Sequence, residues 1–177
     1  MYIMGFCNLI SRVMVRLFYL LFCKGKAMEL HDYLKKEGIW HRFVDKPETI
    51  HTTDAAQKAG IELNKVTKAL VLLDQNKNPI LAIIPGDCKL SFSKVKEAAG
   101  SKKVRLVPFE EAQNYSGYLP GATPMVHHKL KMKVILDKKL MQYESIYGGG
   151  GERTKLLELK TADVIRLNDA IVADISE

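Results

Sequence analysis

Val66-Thr67-Lys68-Ala69-Leu70-Val71-Leu72-Leu73-Asp74 drives a lysine into the start of an otherwise apolar, β-prone run, and Ile80-Leu81-Ala82-Ile83-Ile84 brings a second apolar run soon after. Short apolar runs bounded by turn residues read as buried strands. The link between them, Asp74-Gln75-Asn76-Lys77-Asn78-Pro79, has the polar turn chemistry of a hairpin. Burying an ammonium without a partner costs about 2 to 5 kcal/mol. Lys68 therefore pairs with a carboxylate, snorkels to water at the strand end, or faces a cavity where a polar ligand completes it.

Outward from the hairpin, the pattern alternates short helices and short strands. Met28 to Glu37 places Leu30, Tyr33 and Leu34 at helical spacing, and Gly38 follows as a C-cap. Trp40 to Val44 reads as a strand, and Thr52 or Thr53 caps a helix from Asp54 to Lys58 that Gly60 ends. Pro85-Gly86-Asp87 closes the hairpin, and Ser91 or Ser93 starts a helix through Ala99 that Gly100 stops. Val104 to Val107, Lys133 to Leu136, Glu144 to Tyr147 and Leu156 to Leu159 read as strands. Thr161 caps a helix to Leu167, and Ile171 to Ile175 is a last apolar run. About seven strands interleaved with short helices through hairpin-type connections predict an α+β fold, a single domain with a mixed, largely antiparallel sheet.

The 177 residues, 47% hydrophobic, suffice for one substantial core. The formal charge of +7 is unevenly placed, because residues 1 to 27 hold Arg12, Arg16, Lys24 and Lys26 and no acid. The remainder is only mildly basic, which permits contact with a polyanion without demanding it. Lys94, Lys96, Lys102, Lys103 and Arg105 form one basic run, and Lys129, Lys131 and Lys133 alternate as one face of a strand would. Residues 1–27 read as an apolar, basic extension. Their longest clean apolar run, Leu17 to Cys23, falls well short of the ~20 residues a membrane span requires. Met28 opens the first helix pattern, so residues 28–177 form the self-contained domain, and a start at Met28 is favoured over an interfacial helix built on Arg12 and Arg16. Cys88 is the one cysteine of that domain, so no disulfide framework or CxxC metal site exists there and a reducing cytoplasm fits.

Two loops stand out. Ser116-Gly117-Tyr118-Leu119-Pro120-Gly121-Ala122-Thr123-Pro124 is dense in glycine and proline, so it predicts a shaped backbone able to present amide hydrogens, or a plain structural turn. Gly148-Gly149-Gly150-Gly151 has the composition of a phosphate cradle but lacks the lysine and hydroxyl ending of a P-loop and the spacing of a dinucleotide fingerprint. His51, His127 and His128 lack metal-site spacing, so no metal or other cofactor is expected. There is no GxSxG elbow and Cys88 has no evident histidine partner, so a covalent nucleophile is not indicated. The remaining tools are Lys68, backbone amides and His51, a set suited to polarising a carbonyl and positioning water.

The succession His51-Thr52-Thr53-Asp54-Ala55-Ala56, Gly60-Ile61, Val66 to Val71, Ile84-Pro85-Gly86-Asp87, Ser116 to Pro124, Ile135-Leu136-Asp137, Tyr147 with the glycine loop, and Val172 to Ser176 resembles the YbaK family of aminoacyl-tRNA editing domains, related to the editing insertion of prolyl-tRNA synthetases. The resemblance runs from about Met28 to the end. It implies an α+β editing-domain fold and a free-standing hydrolase that deacylates mischarged aminoacyl-tRNA in trans. It makes Lys68 the essential lysine at the mouth of the amino-acid pocket and His51 a pocket-lining residue. The loop from Gly117 through Gly121 and Ala122 to Pro124 would face the aminoacyl ester, and Lys94, Lys102, Lys103, Lys129 and Lys131 would meet tRNA phosphates. The partners implied are aminoacyl-tRNA and a synthetase, not DNA or a membrane, in the cytoplasm.

Three departures qualify it. Pro120 occupies the loop's first glycine position and has no amide hydrogen, so Gly121 or Ala122 would have to supply the oxyanion contact. Leu156, preceded by Lys155, stands where the cysteinyl-specific branch has an aspartate, and Val126-His127 replaces the glycine that follows the loop proline. Cysteinyl specificity is therefore not implied. The reading from a different class is a non-catalytic adaptor of the same fold that binds tRNA or a synthetase.

Overall fold

The computed structural model describes residue 26 and residues 28–177. The extension expected over residues 1–27 lies, apart from Lys26, outside the described residues. The hairpin forms as expected: β2 (Thr67–Asp74) and β3 (Pro79–Pro85) pair antiparallel, Thr67 opposite Pro85 and Leu73 opposite Pro79. Asp74 closes the turn, its carboxylate accepting from the backbone N–H groups of Asn76 and Asn78 and from the Asn78 amide.

β3 is buried on both faces, which is why its sequence is continuously apolar and not alternating. Leu81 and Ile83 point into one core and Ile80, Ala82 and Ile84 into a second. β3 sits at the centre of a five-stranded mixed sheet ordered β4-β2-β3-β5-β8, where β4 is Val104–Leu106, β5 is Lys133–Asp137 and β8 is Ile171–Ala173. The β3–β5 and β5–β8 pairs are parallel and the others antiparallel. β1 (His41–Asp45), β6 (Ser145–Gly149) and β7 (Lys155–Lys160) form a separate antiparallel sheet ordered β1-β7-β6. The strands thus divide between two sheets, joined where Val66 bridges Tyr147 in parallel.

The helices seal the sheets. α1 (28–36) sets Leu30 and Leu34 into the first core with Val164 of α5 (Thr161–Asn168), while α3 (Phe92–Ala99) sets Val95 and Ala99 into the second. α2 (Thr52–Ala59) packs Ala55 and Ala56 against Val66 and Leu156 in a smaller cluster. This helix begins earlier than its threonines suggest, with His51 at the N-cap position and no side-chain cap. The short α4 (Ala112–Ser116) has too few apolar positions to announce itself in sequence. The alternation of Lys129, Lys131 and Lys133 overstates a strand, for β5 starts only at Lys133 and the residues before it form an irregular, exposed approach.

The central position of β3 makes a direct prediction: Leu81→Ala should destabilise the fold by about 2 to 5 kcal/mol through the cavity it leaves. Urea unfolding should show a lower midpoint with an unchanged m-value.

Candidate functional site

Two strands compete for one edge of β2, and the site lies between them. Val66 sends its carbonyl to the Gly86 N–H at 2.7 Å, on the β3 side, whereas the Val71 carbonyl accepts the Val107 N–H at 2.9 Å on the opposite side. Peptide groups alternate in direction along a strand, so Thr67, Ala69 and Val71 share that opposite edge. β4 covers it only from Leu72 to Asp74. At the other end it meets β6, with the Thr67 hydroxyl donating to the Tyr147 carbonyl at 3.0 Å. Ala69 falls in the gap, so its N–H and C=O face open space instead of a neighbouring strand.

That space is a cleft of about 360 Å³. Thr67 to Val71 form its floor, His51 and the start of α2 one wall, Pro120, Gly121 and Thr123 another, and Ile50, Leu106 and Phe109 its rim. Among the described lining residues His51 and Lys68 are the titratable ones, so the cleft holds no carboxylate. Lys68 donates to the Cys88 carbonyl at 2.9 Å, and among the described residues no carboxylate lies within ion-pair distance of its amine. An ammonium has three donors. One is used, leaving capacity for a ligand.

The loop that carries Pro120 is shaped by packing. Gly121 adopts φ +85°, and a Cβ there would sit 2.8 Å from the Ile50 carbonyl oxygen. Gly149 lies against the loop from the other side: a Cβ would meet the Ala122 carbonyl carbon at 2.5 Å and collide with the Thr123 oxygen. The Gly148–Gly151 run therefore serves as a seat for this loop, with the Gly151 N–H bonded to the Ala122 carbonyl at 3.0 Å, and is no phosphate cradle. Arg153, which nothing in the sequence marked, reaches in to donate from Nε to the Pro120 carbonyl at 3.0 Å. Beyond the loop, His127 takes φ +62°, the left-handed conformation that glycine adopts freely and other residues rarely do. The cost, about 1 to 2 kcal/mol, is offset by its hydrogen bond with the Tyr118 hydroxyl at 2.7 Å and its stacking on Tyr33. His128 Nε2 lies 2.9 Å from the Pro124 carbonyl, and burial pushes this imidazole down to about 4.

Of the residues expected at the site, Lys68, His51 and Gly121 line the cleft. Gly117 does not: it ends α4 at φ +82°, against Lys129. Ala122 is fully buried with its N–H bonded to the Leu119 carbonyl at 2.9 Å, so it cannot donate to an oxyanion, and Pro124 is buried with its carbonyl held by His128. Gly121 and Thr123 are the loop residues left to present amides. The lysines do not gather into one surface. Lys94 is paired with Asp174 at 3.1 Å and is committed to the fold. Lys102 and Lys103 bond through their backbone to Gln75, at the end of β2 remote from Lys68. Lys129 and Lys131 are exposed on the approach to β5. The sequence marked the loops that hold Thr123 and Gly149 by their glycine and proline content but not the part each residue plays, and Ala69, Arg153 and the apolar rim carry no local signal.

The pattern of the aminoacyl-tRNA editing domain family matches residues 46–167. An Enterococcus faecalis protein described as a candidate Cys-tRNA(Pro)/Cys-tRNA(Cys) deacylase, EbsC, is 26% identical over 86% of this chain and 93% of its own. The Escherichia coli multifunctional Ser/Thr-tRNA deacylase ProXp-y is 26% identical over 76% of this chain and 83% of its own. A crystal structure described as a candidate trans-editing enzyme for prolyl tRNA synthetase superimposes with a TM-score of 0.77 at 26% identity, covering 86% of this chain and 97% of that one.

Two outcomes follow from how the loop is held. Gly149→Ala should push the Ala122–Thr123 backbone aside and cost about 1 to 3 kcal/mol, read as a lowered Tm. His128 is depressed in the folded state below its ordinary 6.5, so the unfolded chain takes up a proton that the folded chain resists. Stability present above pH 6.5 should be lost as pH falls toward 4, by up to about 3 kcal/mol, and His128→Gln should flatten that slope in urea titrations across the window.

Proposed function

The chain belongs to the aminoacyl-tRNA editing domain family, and from that premise we propose that it hydrolyses, in trans, the ester joining a mischarged amino acid to the terminal ribose of tRNA. The observation that carries the proposal is an ammonium without a carboxylate partner in a cleft without carboxylates, Lys68 lining the same cleft as the open Ala69 edge. Such a cleft suits a ligand with negative or polar oxygens, and an ester next to a phosphate supplies both. Lys68 orients the substrate through its carbonyl or the terminal phosphate. The free N–H and C=O of Ala69 meet polar groups of the aminoacyl end.

In the reaction, water attacks the ester carbonyl, the bond to the ribose oxygen breaks, and the ribose hydroxyl and a free amino acid leave. Amides of Gly121 and Thr123 stabilise the developing oxyanion, since Pro120 has no N–H and that of Ala122 is spent. His51, or the vicinal ribose hydroxyl acting as a relay, takes the proton from the attacking water and a proton passes to the departing ribose oxygen. An activated ester needs no strong base if the reactants are well positioned. Leu156 lines the cleft where the cysteinyl branch has an aspartate, which gives an apolar wall and weighs against that branch's specificity. Lys102, Lys103, Lys129 and Lys131 add a salt-sensitive, sequence-blind attraction to tRNA, with a partner synthetase selecting the tRNA. The competing reading, an adaptor that binds without hydrolysing, draws on Pro120 in the cleft wall.

One assay separates the two. Deacylation of alanyl-, cysteinyl- and seryl-tRNA should be rapid for one or two species, and Lys68→Ala should lower that rate by about 100-fold or more, the scale of losing a key electrostatic contact. Its circular dichroism should be unchanged. Flat rates across the panel from folded protein would leave the adaptor.

A further inference from the structure

The rim of the cleft is unusual for an exposed surface. Ile50, Leu106 and Phe109 all line its mouth and are 41%, 46% and 50% exposed. Leu106 and Phe109 are three residues apart in the sequence, and the fold brings the distant Ile50 to the same cleft. Phe109 is held firmly. Val107 before it is buried and bonded to Val71, and Phe109 opens a 3-10 turn whose Glu111 and Ala112 N–H groups both bond to the Pro108 carbonyl at 3.0 and 3.1 Å. A half-exposed aromatic ring on a fixed backbone loses little entropy when something stacks on it.

Charge decides what that is. Glu110 and Glu111 follow Phe109 directly, while the shallow depression that shares Ile50 and His51 with the cleft sets Glu48 and Asp54 against Lys58. The ring's immediate neighbours are therefore acids, which favour a neutral group on Phe109 over a phosphate. The cation of the cleft, Lys68, sits on the floor strand instead. The substrate of the proposed reaction carries a neutral, flat base covalently tied to the reacting ribose, and the cleft borders the exposed ring directly. Resting on the editing reading, we propose that Phe109, flanked by Leu106 and Ile50, is the stacking platform for the terminal nucleobase of the tRNA. Lys68 then takes the phosphate side and the nucleotide has one orientation in the cleft. Recognition here is by π-face and apolar contact, so it is tolerant of base identity.

The test is binding, so that it does not depend on catalysis. The probe is adenosine carrying an aminoacyl group through a 3′-amide in place of the ester, titrated into the full chain by calorimetry. A matching aminoacyl-amide of ribose without a base is the control. Phe109→Ala should weaken the adenosine probe by about 5- to 150-fold, the worth of one base–aromatic stack. Phe109→Tyr should retain affinity, and neither should alter the weaker binding of the base-less control. Equal binding of the adenosine probe by wild type and Phe109→Ala would overturn the proposal, as would an equal loss on both probes, which would make Phe109 a support of the wall. Tight, Phe109-dependent binding by a protein that cleaves no aminoacyl ester would uphold the platform while refuting the hydrolase.

Discussion

The structure depends on β2 having one fully paired edge and one contested edge. Its bonds to β3 run the length of the hairpin and fix the register that sends Leu72 and Leu73 into opposite cores. On the other edge, β6 approaches at Val66 and Thr67 and the β4 segment at Val71 and Leu72, and neither bonds Ala69 between them. A buried, unpaired peptide is costly, so a gap at Ala69 persists only if it opens to solvent or to a ligand. The cleft is the consequence.

The same constraint explains why a lysine tolerates its place in an apolar strand. Lys68 lies on the side chain row of Leu70 and Leu72, yet it precedes the covered part of the strand, so its amine reaches the Cys88 carbonyl at the end of the hairpin and stays reachable. A closed ion pair would have spent the charge inside the fold. Here Asp174 is engaged with Lys94 and Lys138 and Asp137 with backbone N–H groups of Lys139 and Ile175, and the exposed Asp87 beside Cys88 forms no ion pair with Lys68.

Shape at the opposite wall comes from glycines used for closeness. Gly149 lets β6 touch the Ala122–Thr123 backbone, and Gly121 lets the loop touch Ile50. Arg153 and His128 then tie the loop's carbonyls from either end. These bonds and the Ala122 N–H bond to the Leu119 carbonyl occupy much of the loop's polar backbone, and Gly121 and Thr123 are the loop residues with an N–H that line the cleft.

The hairpin, the helices before Gly38, Gly60 and Gly100, the α+β class and the oddness of Lys68 were legible in the sequence, because each rests on local periodicity, turn chemistry or the cost of burying one charge. The family's order of motifs was legible too, and with it Lys68, His51 and Gly121 at one site. Other features were not: the split into two sheets, the free edge at Ala69, the seat that Gly149 gives the Ala122–Thr123 backbone and the approach of Ile50 to Leu106 and Phe109. These arise from which strands compete for an edge and which backbones touch across distant segments. Such contacts are long-range and leave no periodic trace in the chain, so tertiary structure alone decides them.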